Sequence, residues 1–301
     1  MHSPLWILLT GLVLITSPGT GTTWMPVKDE NLSNSYYNGT LNLTGLKDSV
    51  TVFWDQRGMP HLYASSEHDL YMATGYLTAR ERLWQMDLLR RSTTGRLSEI
   101  FGESFLQADI FSRCLQIREK AARIIAKEDP HILSCLQAYT DGVNAFISSC
   151  SKHLPIEFRL LSYTPDPWSL EDIASIIGLM GWNLDCRNLT AELFVYQLIR
   201  KVGAARAAEL IPDWQAVDEV VYRGFEIPAS VIASIESMVS SMRLMTDLGL
   251  SASSSSNNWA VSGARSKTGK PLLSNDMHLN LSSPGIWMQM HQVVPGKLNV
   301  T

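Results

Sequence analysis

A run of serines ends at Ser256, directly before Asn257-Asn258-Trp259, and this junction holds the residue best placed for covalent chemistry. If the peptide bond between Ser255 and Ser256 is cut, Ser256 carries both a hydroxyl and a free α-amine. An α-amine titrates at about 7.7–8.0, so it can act as a general base toward its own hydroxyl. An N-terminal serine therefore needs no histidine–aspartate pair to attack a carbonyl carbon.

The same hydroxyl can also make the cut. Its attack on the carbonyl carbon of Ser255 shifts the acyl group from nitrogen to oxygen, and water then hydrolyses the resulting ester. The ordinary alternative is an uncut serine linker in front of a strand, and residues 251–262 taken alone favour that linker. The choice between the two depends on the rest of the chain.

Other familiar catalytic motifs do not occur in the sequence. It contains no G-x-S-x-G, H-E-x-x-H, Walker or G-x-G-x-x-G pattern, which removes support for the common serine hydrolase, metalloprotease, nucleotide hydrolase and dinucleotide-binding classes. A formal net charge of −4 does not indicate a nucleic-acid partner. The four cysteines have no zinc-type spacing, and whether any of them pair stays open: Cys114, Cys135, Cys150 and Cys186.

The elements that must position Ser256 form a mainly helical part followed by a mainly β part. A hairpin is predicted from strands at 50–54 and 61–64, and Ser66 with Asp69 has the pattern of a helix start. Apolar residues at helical spacing predict a helix after that start, and further helices at 111–127, 131–149, 173–184, 191–202 and, weakly anchored, 229–250. Strands are predicted at 259–262, 271–274 and 286–293.

The N-terminal region predicts export. An apolar run from Leu5 to Ile15 is followed by small residues up to Thr23, which is typical of a signal peptide and short for a membrane span of about 20 residues. Residues 1–24 are therefore assigned to a signal peptide or an N-terminal anchor. The protein is expected in the periplasm or outside the cell, or attached to a membrane by this segment.

Several segments, in order and with matching spacing, carry a family resemblance. They are residues 52–64, 75–87, 90–91, 95–99, 138–145 and 154–158, together with Ser256-Asn257-Asn258-Trp259. The chain resembles the penicillin acylase (penicillin amidase) family of N-terminal nucleophile hydrolases, whose catalytic subunit starts with S-N-x-W. The resemblance places the nucleophile at Ser256 rather than at Ser255.

The resemblance implies an α+β protein with the αββα sandwich of N-terminal nucleophile hydrolases. Residues 25–228 would form a mainly helical α-subunit-like region, 229–255 a spacer propeptide, and 256–301 the start of a β subunit. Because the β subunit of the family is several hundred residues long, we expect the chain to be a truncated portion of a longer precursor. Such a portion is expected to be inactive.

The resemblance also implies roles for individual residues. His278 matches a histidine near the reacting serine and would be a positioning donor, although Asp276-Met277 stands where the family usually has proline. Met180, Trp182 and Leu184 match a segment that lines the acyl pocket, and the hydrophobic core is an equally good place for them. Glu192 matches a glutamate that binds a structural calcium ion. Calcium requires about six to eight oxygens, so this residue would supply one ligand among several.

The activity implied by the resemblance is hydrolysis of a linear amide through an autocatalytically exposed N-terminal serine. The substrate would be a small acyl amide: an N-acyl bond of a β-lactam, an acyl-homoserine lactone or a related compound. No organic cofactor is expected, and the α and β subunits of one precursor would be partners of each other. The alternative is a secreted, uncut, non-catalytic binding module that keeps the family fold.

Overall fold

A computed structural model describes most of the chain after its N-terminal segment. The described residues are 39–150, 154–185, 187–211, 227–250, 256–279 and 281–301, with the side chains of 185–190 omitted. The predicted signal peptide and the residues just before Ser256 lie outside this part. Within it, Cys114 and Cys150 are free thiols. No described helix is long and apolar enough to cross a membrane.

The chain forms two compact units, and the first contains a four-stranded sheet. This unit comprises Met1–Leu70 and Gln289–Thr301. Its strands are β1 (Thr51–Trp54), β2 (Pro60–Tyr63), β5 (His291–Val294) and β6 (Leu298–Val300), in the order β1-β2-β5-β6. The first and last pairs are antiparallel, whereas β2 runs parallel to β5.

The hairpin of β1 and β2 is confirmed where the sequence predicts it. Asp55 Oδ1 accepts the backbone N–H groups of Arg57 and Met59 at 2.8 and 2.9 Å, and Gly58 adopts a φ of 76° that favours glycine. The strand predicted at 286–293 is shorter than expected, because β5 begins only at His291.

The second unit, Tyr71–Met288, is mainly helical and ends in a hairpin. Its helices are α1 (Glu67–Thr94, which begins in the first unit), α2 (Ser98–Phe101), α3 (Leu106–Leu115), α4 (Ile117–Ile125), α5 (Pro130–Ser149), α6 (Ile156–Leu160), α7 (Leu170–Asp185), α8 (Arg187–Val202), α9 (Ala204–Leu210) and α10 (Ala229–Asp247). The hairpin is formed by β3 (Ser256–Val261) and β4 (Leu272–Met277). Helices followed by strands confirm the predicted α+β class.

Side-chain caps fix the starts of two long helices. The Ser66 hydroxyl accepts the Asp69 backbone N–H at 3.1 Å and donates to the Asp69 carboxylate at 2.7 Å, which confirms the predicted start of α1. Asp129 caps α5 by accepting the backbone N–H of His131 at 2.8 Å. The single helix predicted at 111–127 is wrong, because Gln116 adopts a left-handed φ of 54° and separates α3 from α4.

Two glycines bring the backbones of α1 and α5 into direct contact. A Cβ atom placed on Gly75 would lie 2.0 Å from the carbonyl oxygen of Tyr139, and one on Gly142 would lie 1.9 Å from that of Met72. These distances are far shorter than any real carbon–oxygen contact, so only glycine fits at either position. The two glycines therefore set the distance between the helices.

A buried ionic cluster stabilises the inner face of α1. Asp87 is fully buried and forms ion pairs with Arg90 and Arg91, and it also accepts the Tyr163 hydroxyl at 2.7 Å. Burial and then the charge of Asp87 raise the pKa of Tyr163 well above its usual value, so this phenol stays protonated and donates. Arg90 and Arg91, each 4% exposed, are therefore ion-paired inside the fold.

The C-terminal end of α10, a helix within the predicted spacer, packs into the helical core. Met245 and Leu250 are 6% and 5% exposed and belong to a cluster with residues of the α1–α3 region, namely Leu88, Leu97, Phe105 and Ala108. Asn183 donates to the Leu250 carbonyl oxygen at 3.1 Å. The expectation that residues 229–250 are weakly anchored is therefore wrong at this end.

Candidate active site at the serine junction

Ser256 is the first residue of a paired strand. The strand predicted to begin at Trp259 begins three residues earlier, because Asn257 and Asn258 continue the ladder and pair with Asp276 and Asn275. Ser256 itself is paired with Met277 and is exposed. The junction thus ends in ordered β structure at the residue that the sequence analysis identifies as the nucleophile.

His278 lies at the same end of the hairpin as Ser256, one residue after the partner of that serine. Within the described residues its hydrogen-bond partner is Asp276, whose Oδ2 lies 2.8 Å from Nε2 of the imidazole. Residues directly opposite each other in a ladder share a face, so Ser256 points with Met277 while Asp276 points to the other face. His278 therefore lies near the end of the hairpin that carries Ser256, but its contact with Asp276 puts it with the face opposite Ser256, and no hydrogen bond joins the two side chains among the described residues.

Asp276 is the residue of this site that the sequence analysis does not assign. The signal is present in the sequence, because an acidic residue two positions before a histidine shares its face in a strand. Its interaction with His278 joins two exposed side chains, 64% and 43% accessible, so it orients the imidazole more than it stabilises the fold.

The three candidate pocket residues occupy the last turns of α7. Met180 and Leu184, four residues apart on one side of the helix, are 42% and 55% exposed. Trp182 is half-buried, and its ring packs against Phe111 with the centroids 5.7 Å apart. Its buried Nε1 has no hydrogen-bond partner among the described residues. Trp182 is thus part of the helical packing, whereas Met180 and Leu184 present apolar surface to the outside.

Glu192 lies on the exposed side of α8. Calcium requires about six to eight oxygen ligands. In the described part of the chain, no group of three metal-ligating side chains includes this glutamate. The described residues therefore supply this one carboxylate and do not by themselves make a calcium site.

Comparison with known proteins gives consistent family assignments. A model of the penicillin amidase family matches residues 49–301. Acyl-homoserine lactone acylase QuiP of Pseudomonas aeruginosa is 32% identical over 257 residues, which are 83% of this chain and 30% of that protein. The penicillin acylase 2 proenzyme of Pseudomonas sp. strain SE83 is 35% identical over 264 residues, which are 84% of this chain and 33% of that protein.

A solved structure of thermostable penicillin G acylase from Alcaligenes faecalis is also similar, with 27% sequence identity and a TM-score of 0.49 over 60% of this chain and 97% of that chain. This chain spans about a third of the length of the two Pseudomonas relatives. The family match extends from the first hairpin through Ser256 to Thr301 and covers most of the sequence. The chain belongs to the penicillin amidase family.

Proposed function

We propose that the full-length protein is a penicillin acylase-like amidohydrolase whose nucleophile is Ser256. One observation carries the proposal: in a chain of this family, Ser256 is both the last residue of the serine run and the first residue of a paired strand. Strand pairing holds the residue on the C-terminal side of the bond, which favours attack on the carbonyl that precedes it.

The maturation step needs only this residue and water. The Ser256 hydroxyl loses its proton and attacks the carbonyl carbon of Ser255, and the C–N bond between them breaks as the Ser256 nitrogen takes up a proton. Water hydrolyses the ester that forms, giving a carboxylate on Ser255 and a free amine and hydroxyl on Ser256. The products are an α-subunit-like region, residues 25–228 with the connecting spacer 229–255, and a β region from Ser256.

The catalytic step repeats the same chemistry on a substrate. The α-amine, directly or through one water molecule, takes the proton of the Ser256 hydroxyl as its oxygen attacks the amide carbonyl carbon. The amide C–N bond breaks, the amine product leaves with a proton, and water then hydrolyses the acyl ester. Oxyanion donors typically contribute about 10²–10³-fold each, and we place them in the longer protein.

The proposed substrates are small acyl amides. The relatives are named for acyl-homoserine lactones and for penicillin, and both compounds contain an N-acyl bond in a linear amide. Met180 and Leu184 are proposed to contact the acyl group, because they present adjacent apolar side chains at the end of α7. The packing of Trp182 against Phe111 is proposed to hold this end of α7 in position.

His278→Ala in the full-length protein is expected to slow amide hydrolysis by about 10–100-fold while cleavage before Ser256 continues. A general acid–base group typically contributes roughly 10²–10⁴-fold. The expected loss is smaller because the α-amine, not His278, is the proposed base. Steady-state kinetics and the mass of the processed chains measure the two effects separately. Complete inactivity of a normally processed variant would make the histidine, rather than the amine, the base.

We also propose that Glu192 supplies one ligand to a structural calcium ion whose other ligands lie outside this chain. Glu192→Ala in the full-length protein is expected to lower the bound calcium and the melting temperature, since an ion that binds only the folded state stabilises it by mass action. A chelator should lower the melting temperature of the wild type and have little further effect on the variant. Unchanged calcium content and melting temperature in the variant would contradict this assignment.

Export and subunit association complete the proposal. Residues 1–24 are proposed to direct the protein to the periplasm or the cell exterior, or to anchor it to a membrane. After cleavage, the two regions are proposed to stay together through the sheet of the first unit, because β2 precedes Ser256 and β5 follows it. Leu62 and Val294, 0% and 4% exposed, contribute the buried apolar surface of these two strands.

The function is tested by hydrolysis assays on the purified full-length protein with acyl-homoserine lactones and penicillins as substrates. We expect release of the free acid and the free amine, and loss of both products in Ser256→Ala. A processed protein that binds these compounds and releases neither product would contradict the proposal. It would favour a secreted non-catalytic binding module instead.

A further inference from the structure

Two histidines meet across the parallel pairing of β2 and β5 in the first unit. His61 and His291 are register partners, and their Nδ1 atoms lie 2.9 Å apart. A hydrogen bond between two imidazole nitrogens needs one N–H donor and one bare acceptor. A single proton therefore lies between the two rings as long as this contact persists.

The neighbouring groups determine which ring donates. His291 Nε2 lies 2.9 Å from the Asn299 amide oxygen, so this nitrogen carries a hydrogen and His291 accepts at Nδ1 when it is neutral. His61 then donates from Nδ1. The Nε2 atom of His61 is buried without a hydrogen-bond partner in the described part of the chain, 3.8 Å from Oδ2 of Asp55.

A carboxylate and an aromatic ring face the His61 imidazole. Asp55 faces it as a carboxylate, because the backbone N–H of Met59, opposed by desolvation and assisted by the N–H of Arg57, holds the pKa of Asp55 below its usual value. Phe53 stacks on His61 with the ring centroids 4.5 Å apart and the planes inclined by 3°.

The other groups around the two histidines are either uncharged or already paired. Tyr63 meets the His291 ring edge-on with centroids 5.8 Å apart, and Asn299 is neutral. The positive charge of Lys297 is paired with Glu67 at 2.5 Å.

We propose that the His61–His291 pair is an acid-sensitive latch between β2 and β5. One proton on His61 keeps the contact and adds attraction to Asp55. A second proton, on His291, puts N–H groups on both facing Nδ1 atoms, which breaks the hydrogen bond and sets two positive rings side by side. The parallel strand pairing then loses a contact between its central side chains.

The sign of the pH effect follows from proton binding in the two states. Two protonated imidazoles cannot share the Nδ1–Nδ1 hydrogen bond, so a pH below the ordinary histidine pKa of about 6.5 favours any state in which the two rings are apart, the unfolded chain included. The stabilisation by the His61–His291 contact is therefore present above that pH and is lost as the pH falls. If the chain is cut before Ser256, a consequence that rests on the proposed function, the same latch weakens the association of the two regions in acid.

The test compares full-length wild type with His291→Gln, which removes the second proton-binding ring and keeps a polar side chain. Melting temperatures are measured at about pH 7.5 and about pH 5, on either side of the ordinary histidine pKa. The wild type is expected to lose about 2–4 °C more on acidification than the variant, as for a destabilisation of about 1 kcal/mol. His61→Phe, which keeps an aromatic ring to stack on Phe53, should reduce the acid loss in the same way.

The control is His278→Gln, which removes an exposed imidazole of the other unit and should keep the full acid loss of the wild type. Equal acid losses in the wild type, His291→Gln and His61→Phe would overturn the latch. The series is repeated in Ser256→Ala, where the latch predicts the same acid loss in an uncut chain. If acid lowers the melting temperature of the wild type but releases no separate subunit, the latch is supported and the cleavage proposal is contradicted.

Discussion

Ser256→Ala in the full-length precursor is expected to leave one uncut chain without amide hydrolase activity. The substitution removes the only oxygen that the proposal uses, both to attack the carbonyl of Ser255 and to attack the substrate. Loss of a catalytic serine typically costs about 10⁴–10⁶-fold in rate, so activity should fall below detection. Intact-mass measurement shows the single chain, and an acyl amide assay shows the missing activity.

Two neighbouring substitutions serve as matched controls. Ser255→Ala changes the residue that supplies only the scissile carbonyl, and it should be processed as the wild type is. Ser256→Cys keeps a nucleophile, since a thiol with a pKa of about 8.5 can attack the same carbonyl, so this variant should be processed at least in part. Its amide hydrolysis should be much weaker, because sulfur is larger than the oxygen that the proposed mechanism uses. Normal cleavage of Ser256→Ala would assign the cut to another protease.

Gly142→Ala is expected to lower the stability of the folded chain by about 3 kcal/mol. The added methyl carbon would lie 1.9 Å from the carbonyl oxygen of Met72, a backbone atom inside α1 that no side-chain rotation can move away. Helices α1 and α5 must separate to admit it, which also loosens the reciprocal contact of Gly75 with the Tyr139 backbone. Thermal unfolding followed by circular dichroism measures the loss as a lower melting temperature.

Gly181→Ala is the matched control for this effect. Gly181 is also a helical glycine, and a Cβ atom there would meet nothing within 4 Å. Alanine is favoured over glycine inside a helix by about 1 kcal/mol, so this variant should be unchanged or slightly more stable. Equal melting temperatures for Gly142→Ala and Gly181→Ala would show that the close approach of α1 and α5 does not determine stability.

The features that local chemistry controls could be predicted from the sequence. The hairpin around Gly58 and the cap at Ser66 follow from turn and capping preferences within a few residues, and both are confirmed. A strand after the serine run follows from the change in apolar period, although it begins at Ser256, three residues before the predicted start. These signals need no knowledge of distant residues.

The features that depend on packing could not be predicted in this way. The anchoring of Met245 and Leu250 needs a cluster whose other members lie more than a hundred residues earlier in the chain. Nothing in the periodicity around Gly142 shows that another backbone approaches it. The break at Gln116 is similar, because a non-glycine residue with a left-handed φ carries no composition signal.

The residues proposed for calcium binding and for the acyl pocket could be predicted only in part. Met180 and Leu184 share one side of α7 by their spacing, yet only the structure separates them from the half-buried Trp182. For Glu192 the helix is as expected, and the calcium role proposed for it depends on oxygens that the described residues do not supply. His278 forms a hydrogen bond with Asp276, a partner that the sequence analysis does not predict.

The measurement that tests the central claim most directly is the N-terminal sequence and intact mass of every chain in the purified full-length protein. The account predicts a chain that begins Ser-Asn-Asn-Trp, with the free amine at Ser256, and a separate chain that contains the helical region. A single chain running uninterrupted through Ser255 and Ser256, in a protein that still hydrolyses acyl amides, would contradict the N-terminal serine mechanism.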